Sequence, residues 1–333
     1  MDLRIGLVGF GAAARRAALA WTCLPLACDE SHARLVAVSV NDDREAEAAR
    51  RSGFELVFTD PDDLIANAEV DALDVAAPLA DRAGILRSAM AAGKHIFCDP
   101  LLAEDARDSA EIAALSARCP GMKQAGGFAR HIPAVAWAKT HWSVDMGDLA
   151  HITLVVAIPS VGTPASGPLE EIGADALDLV TWLADDVSEV VAVLEPCTPD
   201  GRGSAGEGAR AMLTFASGAA GSLILRRDPS ISEPVFQFEA TWACGAIRYD
   251  LDRPNTLQVR DETRAGWTEA PCAPPLGIGP IAFAQAASRA AFVRSIRQAA
   301  KPVPSFHDAL RLQAIVGALN ASIDEGAWRK VEL

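Results

Sequence analysis

With 333 residues, half of them hydrophobic, the chain is too long for one ordinary core and apolar enough to fill about two. A formal net charge of −14 and a pI of about 4.9 exclude a general affinity for nucleic acid, whose phosphates such a surface repels. No stretch has the uninterrupted apolar length of a membrane span, the first strand signal begins almost at Met1, and the seven scattered cysteines form no C-x-x-C, so we expect a cytoplasmic protein with reduced thiols and no membrane segment, signal peptide or metal site.

The first sixteen residues carry the sharpest signal. Leu3, Ile5, Leu7 and Val8 form an apolar run of strand length. Gly9-Phe10-Gly11 follows, and Ala12-Ala13-Ala14 opens a helix. This is G-x-G-x-x-A in a strand–turn–helix setting. Gly9 permits the tight turn, Gly11 leaves room for a pyrophosphate against the backbone, and Ala14 lets the helix pack close to the strand. Amides at the helix start and the helix dipole then favour a dinucleotide's phosphates.

The second strand signal is Arg34–Val40, and its end governs the choice between NAD and NADP. Ser39 and Asn41 are small and polar and Arg44 is near, which suits a 2′-phosphate. Asp42 and Asp43 are acidic; Asp42 either bonds ribose hydroxyls or caps the helix Arg44–Ser52. Residues Trp21–His32 read as a loop-like insertion. Further strands are expected around GFELVFTD, at Val70–Pro78 with the small-residue turn Ala76-Ala77-Pro78, at Lys94–Asp99 and at Lys123–Phe128. Helices are expected at Pro61–Ala66, Asp81–Ala92 and Glu104–Arg118. This alternation predicts a doubly wound parallel sheet over residues 1–122.

Residues 123–333 read differently. Helices are expected at Ile132–His141 and Leu169–Leu183 and, near the end, at Ile281–Gln298 and Phe306–Ile323. Between them lie strand signals at His151–Pro159, Val187–Leu194, Ala209–Phe215, Gly221–Arg226, Phe236–Thr241, Gly245–Asp250 and Leu257–Asp261. Loops are expected at Ser160–Pro168 and Gly201–Gly208. Successive strands with short turns predict an α+β domain with a large, mostly antiparallel sheet.

The order of RIGLVGFG, DVAAP, AAGKHIFCDPLLA, AGGFARHIP, EEIGADALDLVTWL and ALRLQAIVGALNASIDEG resembles the Gfo/Idh/MocA oxidoreductases along the whole chain. The resemblance implies a Rossmann domain holding NAD or NADP and a second domain whose sheet face makes a homodimer or higher homo-oligomer. It also implies hydride transfer to or from a small sugar- or polyol-like substrate. Its cofactor contacts fall on Gly9, Phe10, Gly11, Ala12, Ala13, Ser39, Asn41, Asp42, Arg44, Ala76, Ala77, Pro78, Asp99 and Pro100.

Two motifs of the family are altered. Its E-K-P lysine, which orients and helps deprotonate the substrate hydroxyl, aligns with Pro100 in Asp99-Pro100-Leu101; proline has no charge and no N–H. Its D-x-x-x-H becomes Glu171 and Asp175, followed by Asp178. Two carboxylates one turn apart either repel, giving one a raised pKa fit for acid–base work, or form a solvated acidic face. Asp99, Glu171 and Asp175 are therefore the candidate catalytic groups. His131 beside Arg130 is a further titratable candidate, and Arg82 lies either at the site or on the exposed face of its helix. Lys94 and His95 belong to the far end of their strand, Cys98 to a buried inert thiol and Tyr249 to packing. Three functions follow: an oxidoreductase with an atypical site, a catalytically inactive dinucleotide-binding protein with a sensor or regulatory role, or cofactor-assisted elimination.

Overall fold

A computed structural model of the chain describes residues 2–27, 32–141, 146–160, 167–195, 208–261, 266–272 and 278–332. Cys28, Cys197, residues 161–166 of the expected 160–168 loop and residues 201–207 of the expected 201–208 loop lie outside the described residues. The chain divides into two units, residues 1–128 with 277–313 and residues 129–276 with 314–333.

The first unit is built from β1 (Leu3–Val8), α1 (Ala12–Thr22), α2 (Leu24–Ala27), β2 (Ala33–Ser39), α3 (Asp43–Arg51), β3 (Leu56–Phe58), α4 (Pro61–Ala66), β4 (Ala72–Val75), α5 (Leu79–Ala91), β5 (His95–Cys98), α6 (Ala106–Ser116) and β6 (Lys123–Ala125). The six strands are all parallel, in the order β3-β2-β1-β4-β5-β6. Both faces are covered, which is why β4 is buried along its whole length and reads as a continuous apolar run. Leu64, Leu86, Met90 and Ile96 pack in one cluster; Leu7, Ala14, Val38 and Ala49 form another. Strand order reverses between β1 and β4, so a ligand crevice is expected at their carboxyl ends.

Two sequence expectations change here. Residues 21–32 are not simply a loop: Trp21 ends α1 inside the core, and α2 follows. Its indole Nε1 donates to buried Asp74 at 2.7 Å, an anchor that only the folded sheet supplies. Residues 277–313, assigned from chain order to the second half, belong to the first unit. The helix α9 (Pro280–Gln298; numbered after α7 and α8 below) packs Ala290, Phe292 and Val293 with Ile5, Trp21, Ala72 and Phe97. Arg289 Nε donates to Asp74 Oδ2 at 2.8 Å, both residues being almost wholly buried, while its guanidinium lies 4.8 Å from the Phe97 ring. Burial pushes the Asp74 carboxyl up, and the Arg289 charge opposes that push.

The strand expected at Lys123–Phe128 is shorter, ending at Ala125, and a 3₁₀ turn at Phe128–His131 leads to α7 (Pro133–His141) in the second unit. It continues with β7 (Leu149–Pro159), a π-helical turn at Leu169–Gly173, α8 (Ala174–Leu183), β8 (Val187–Glu195), β9 (Gly208–Phe215), β10 (Ala220–Asp228), β11 (Val235–Trp242), β12 (Gly245–Asp250), β13 (Thr256–Asp261) and β14 (Thr268–Pro271). After α9 come α10 (Phe306–Glu325) and β15 (Arg329–Lys330). The nine-stranded sheet runs β14-β13-β12-β11-β7-β10-β9-β8-β15, antiparallel except for β10 beside β7. β9 and β11 alternate buried and exposed residues, the pattern of a sheet with one covered face. The edge strands β14 and β15 span only four and two residues, too few to show a period.

Candidate cofactor and active site

In the first unit the predicted cofactor residues follow the carboxyl ends of β1, β2, β4 and β5. Gly9 has φ +106°, a conformation costly for any side chain, and a Cβ there would stand 3.1 Å from the Ala76 carbonyl oxygen. Gly11 is the N-cap of α1, with no side-chain cap, and no acid stands in the helix's first turn. A Cβ at Gly11 would project into open space with no atom within 4 Å. The turn thus offers uncapped amides, no opposing charge and open space beside Gly11, which fits a pyrophosphate. Ala12 is exposed and Ala13 half-buried beside it, while Ala14 is fully buried against the sheet. Phe10 turns inward, edge-on to Phe54 at 6.4 Å.

At the end of β2 the polar residues have other employment. Ser39 is buried, and its Oγ accepts the Gly9 N–H at 3.1 Å, so it fastens the glycine turn. Asp42 caps α3 by accepting the Glu45 N–H at 2.8 Å. Glu45 in turn accepts from the Asn41 backbone and side-chain amides at 2.9 and 3.1 Å. The result is a reciprocal cap close to a capping box. Arg44 is exposed in the first turn of α3.

After β4 and β5 come the turns at 76–78 and 99–101. Ala76, Ala77 and Pro100 are buried, and Pro78 is the N-cap of α5. Asp99 is half-buried over Gly126, where a Cβ would come within 2.6 Å of its Oδ1. Leu101 holds φ +67° while 1% exposed. Arg82 organises both turns. Its Nε donates to the Ala77 carbonyl at 2.9 Å, and its Nη1 lies 3.2, 3.3 and 2.8 Å from the carbonyl oxygens of Asp99, Pro100 and Leu101. Neither open sequence reading of Arg82 foresaw this clamp. Backbone carbonyls have no sequence signature, so only the folded turns reveal it. Cys98 is fully buried and its thiol is pushed up to about 12 by burial. Lys94 Nζ donates to the carbonyls of Asn67 and Val70, and His95 Nδ1 accepts the Met122 N–H, so both serve the opposite strand ends.

In the second unit Glu171 sits in the π-helical turn, and Asp175 is half-buried in the first turn of α8. Glu171 is not a bare acid. Arg227, only 4% exposed, donates from Nε to Glu171 Oε2 at 2.8 Å, and Nη2 joins the same oxygen. Sequence reasoning passed over Arg227. The signal was its phase: Leu223, Leu225 and Arg227 share the buried face of β10. Asp178 is buried and takes a fork from Arg130, Nε to Oδ2 at 2.7 Å and Nη2 to Oδ1 at 2.5 Å. Arg130 and Lys139 both lie against the Trp182 ring. His131 closes the 3₁₀ turn, half-buried, and Tyr249 packs against Phe236 and Phe238.

Comparison with known proteins agrees with this architecture. Residues 3–121 match the model of the Gfo/Idh/MocA oxidoreductase family, described as an NAD-binding Rossmann fold. The levoglucosan dehydrogenase of Pseudarthrobacter phenanthrenivorans is 26% identical over 98% of this chain and 97% of its own length. An inositol 2-dehydrogenase of Saccharopolyspora erythraea is 32% identical over 58% of this chain and 57% of its own. A levoglucosan dehydrogenase structure in complex with NADH and levoglucosan superposes with a TM-score of 0.89 at 25% identity, covering all of both chains. Residues 3–121, with their fingerprint turn and parallel strand order, are thus similar to the NAD-binding Rossmann fold of the Gfo/Idh/MocA oxidoreductases.

Proposed function

We propose that the chain is an NAD(P)-dependent oxidoreductase acting on a CH–OH group of a sugar- or polyol-like small molecule, with an atypical set of proton-handling groups. The observation that carries the reading is the uncapped, acid-free start of α1 behind Gly9 and Gly11, a place built for a dinucleotide's phosphates. The names of the relatives, levoglucosan and inositol dehydrogenases, support a sugar or polyol class. A bound nicotinamide supplies the hydride chemistry; the chain supplies position, charge and proton handling. Gly11 leaves space for the pyrophosphate, and Ser39 holds the turn through the Gly9 amide. Asp99, Glu171 and Asp175 are the carboxylates assigned to orient substrate hydroxyls and accept a proton. Glu171 presents a fixed geometry because buried Arg227 grips one of its oxygens. We assign self-association to the exposed face of the nine-stranded sheet, where Val193 and Met212 are each more than half exposed, and the protein to the cytoplasm.

The resemblance to the family motifs supports a second reading. It implies a lysine at the position of Pro100 and a histidine at that of Asp175, and general acid–base groups contribute about 10²–10⁴-fold to rate. A catalytically inactive dinucleotide-binding protein with a sensor or regulatory role would carry such replacements. Purified protein titrated with NADH and NADPH by fluorescence, then screened for cofactor reduction over sugars, polyols and their acids, separates the two. Binding with turnover supports the enzyme; binding without turnover on any substrate supports the sensor; failure to bind either cofactor refutes both. Light scattering tests self-association, which a monomer would overturn.

A further inference from the structure

The turns after β4 and β5 contain a cation that no carboxylate among the described residues pairs with. Arg82 is half-buried in the first turns of α5. Four backbone carbonyls, those of residues 77, 99, 100 and 101, hold its Nε and Nη1. Carbonyl dipoles orient the guanidinium without cancelling its charge. Among the described residues no carboxylate stands within ion-pair distance of it, and Nη2, with two N–H donors, makes no hydrogen bond. Asp99, the nearest acid in sequence to the clamped turn, lies instead over Gly126. Leu101 is kept in a left-handed conformation with its carbonyl 2.8 Å from Nη1, so the turn is shaped around the guanidinium. The clamp lies at the carboxyl ends of parallel strands, where open α/β sheets bind ligands.

The guanidinium presents its N–H donors in a planar fork. It is a preoriented donor with a fixed positive charge, the partner chemistry prefers for a carboxylate. We propose that Arg82 Nη2 forms a carboxylate subsite and that the substrate is a sugar acid, an aldonate or uronate, rather than a neutral sugar or polyol. This assignment rests on the oxidoreductase reading for the word substrate, and on the geometry of Arg82 alone for the word carboxylate.

The test is calorimetric titration of the NADH-loaded protein with D-gluconate and D-galacturonate, each beside its neutral counterpart, D-glucose and D-galactose. The acids are expected to bind about 10- to 100-fold more tightly, the worth of one charge-assisted hydrogen bond, and to lose that advantage as salt is raised. Arg82→Gln is expected to abolish the preference, and Arg82→Lys to keep part of it, because the charge survives while the fork is lost. Equal binding of acids and neutral sugars by the wild-type protein overturns the proposal, as does a preference that survives in Arg82→Gln. Should Arg82→Gln fail to fold, the wild-type salt series and Arg82→Lys decide the matter: a salt-insensitive preference, or one undiminished in Arg82→Lys, overturns it. Acid binding without cofactor turnover would leave the subsite standing and remove the oxidoreductase. Turnover of neutral polyols with no preference for acids would do the reverse.

Discussion

Gly9 and Gly11 sit two residues apart in one turn, yet alanine at each should act on a different property. At Gly9 the backbone has φ +106° and a Cβ would stand 3.1 Å from the Ala76 oxygen and 3.3 Å from its carbonyl carbon, both backbone atoms that cannot step aside. The conformational penalty is about 1–2 kcal/mol, and the contact adds to it. For a domain of this size a cost of about 2 kcal/mol lowers Tm by roughly 4–8 °C. At Gly11 the backbone is extended, φ −69° and ψ −166°, and nothing lies within 4 Å of a Cβ. Alanine there narrows the unfolded ensemble by about 0.4–1 kcal/mol and is a poorer N-cap by a similar amount, so stability should stay within about 1 kcal/mol of wild type. Its methyl group occupies the open space proposed for the pyrophosphate, however, and NADH or NADPH affinity should fall at least about tenfold, or 1.4 kcal/mol. Thermal unfolding by circular dichroism and cofactor titration by fluorescence measure the two properties separately. The reasoning is refuted if Gly11→Ala binds both dinucleotides like wild type, or if Gly9→Ala melts like wild type.

Asp42→Ala should cost about 1 kcal/mol through the lost α3 cap and leave NADH affinity unchanged; a tenfold loss of NADH binding would return Asp42 to the ribose. Asp74→Ala strands the buried Arg289 guanidinium and should destabilise by about 3–5 kcal/mol, read by denaturant titration; a loss under 1 kcal/mol would contradict the buried pairing. Iodoacetamide at neutral pH should label exposed Cys244 in the native protein and spare buried Cys98, whose thiol is pushed up to about 12; mass spectrometry showing native Cys98 labelling would show that site to be open. The bond from Arg4 holds the Asp71 carboxyl below its ordinary range. That pair therefore adds stability above the ordinary carboxylate pKa and loses it as pH falls through the lowered one. Because about a third of the Asp71 side chain is exposed, the contribution is at most about 1 kcal/mol. Asp71→Asn should flatten the acid limb of stability against pH, and an unchanged limb would exclude the pair as its cause.

Much of the fold was legible in order along the chain. An apolar run followed by Gly9-Phe10-Gly11 and alanines demands a strand, a turn and a helix from consecutive residues, because backbone conformation and side-chain period are local properties. The same holds for the alternating strands of the second unit and for the cap Asp42, which bonds an amide only three residues ahead. The fingerprint turn and the two kinds of sheet were therefore readable along the chain. Tertiary structure alone decided the partners. Asp74 meets Arg289 across 215 positions and Glu171 meets Arg227 across 56, distances at which no periodicity survives. Ser39, read as suiting a 2′-phosphate, also fastens the glycine turn, and Arg82, read as either at the site or on an exposed helix face, clamps two turns. A backbone conformation is specified by its own residues, but a charge acquires its role from whatever the fold brings within about 3 Å of it.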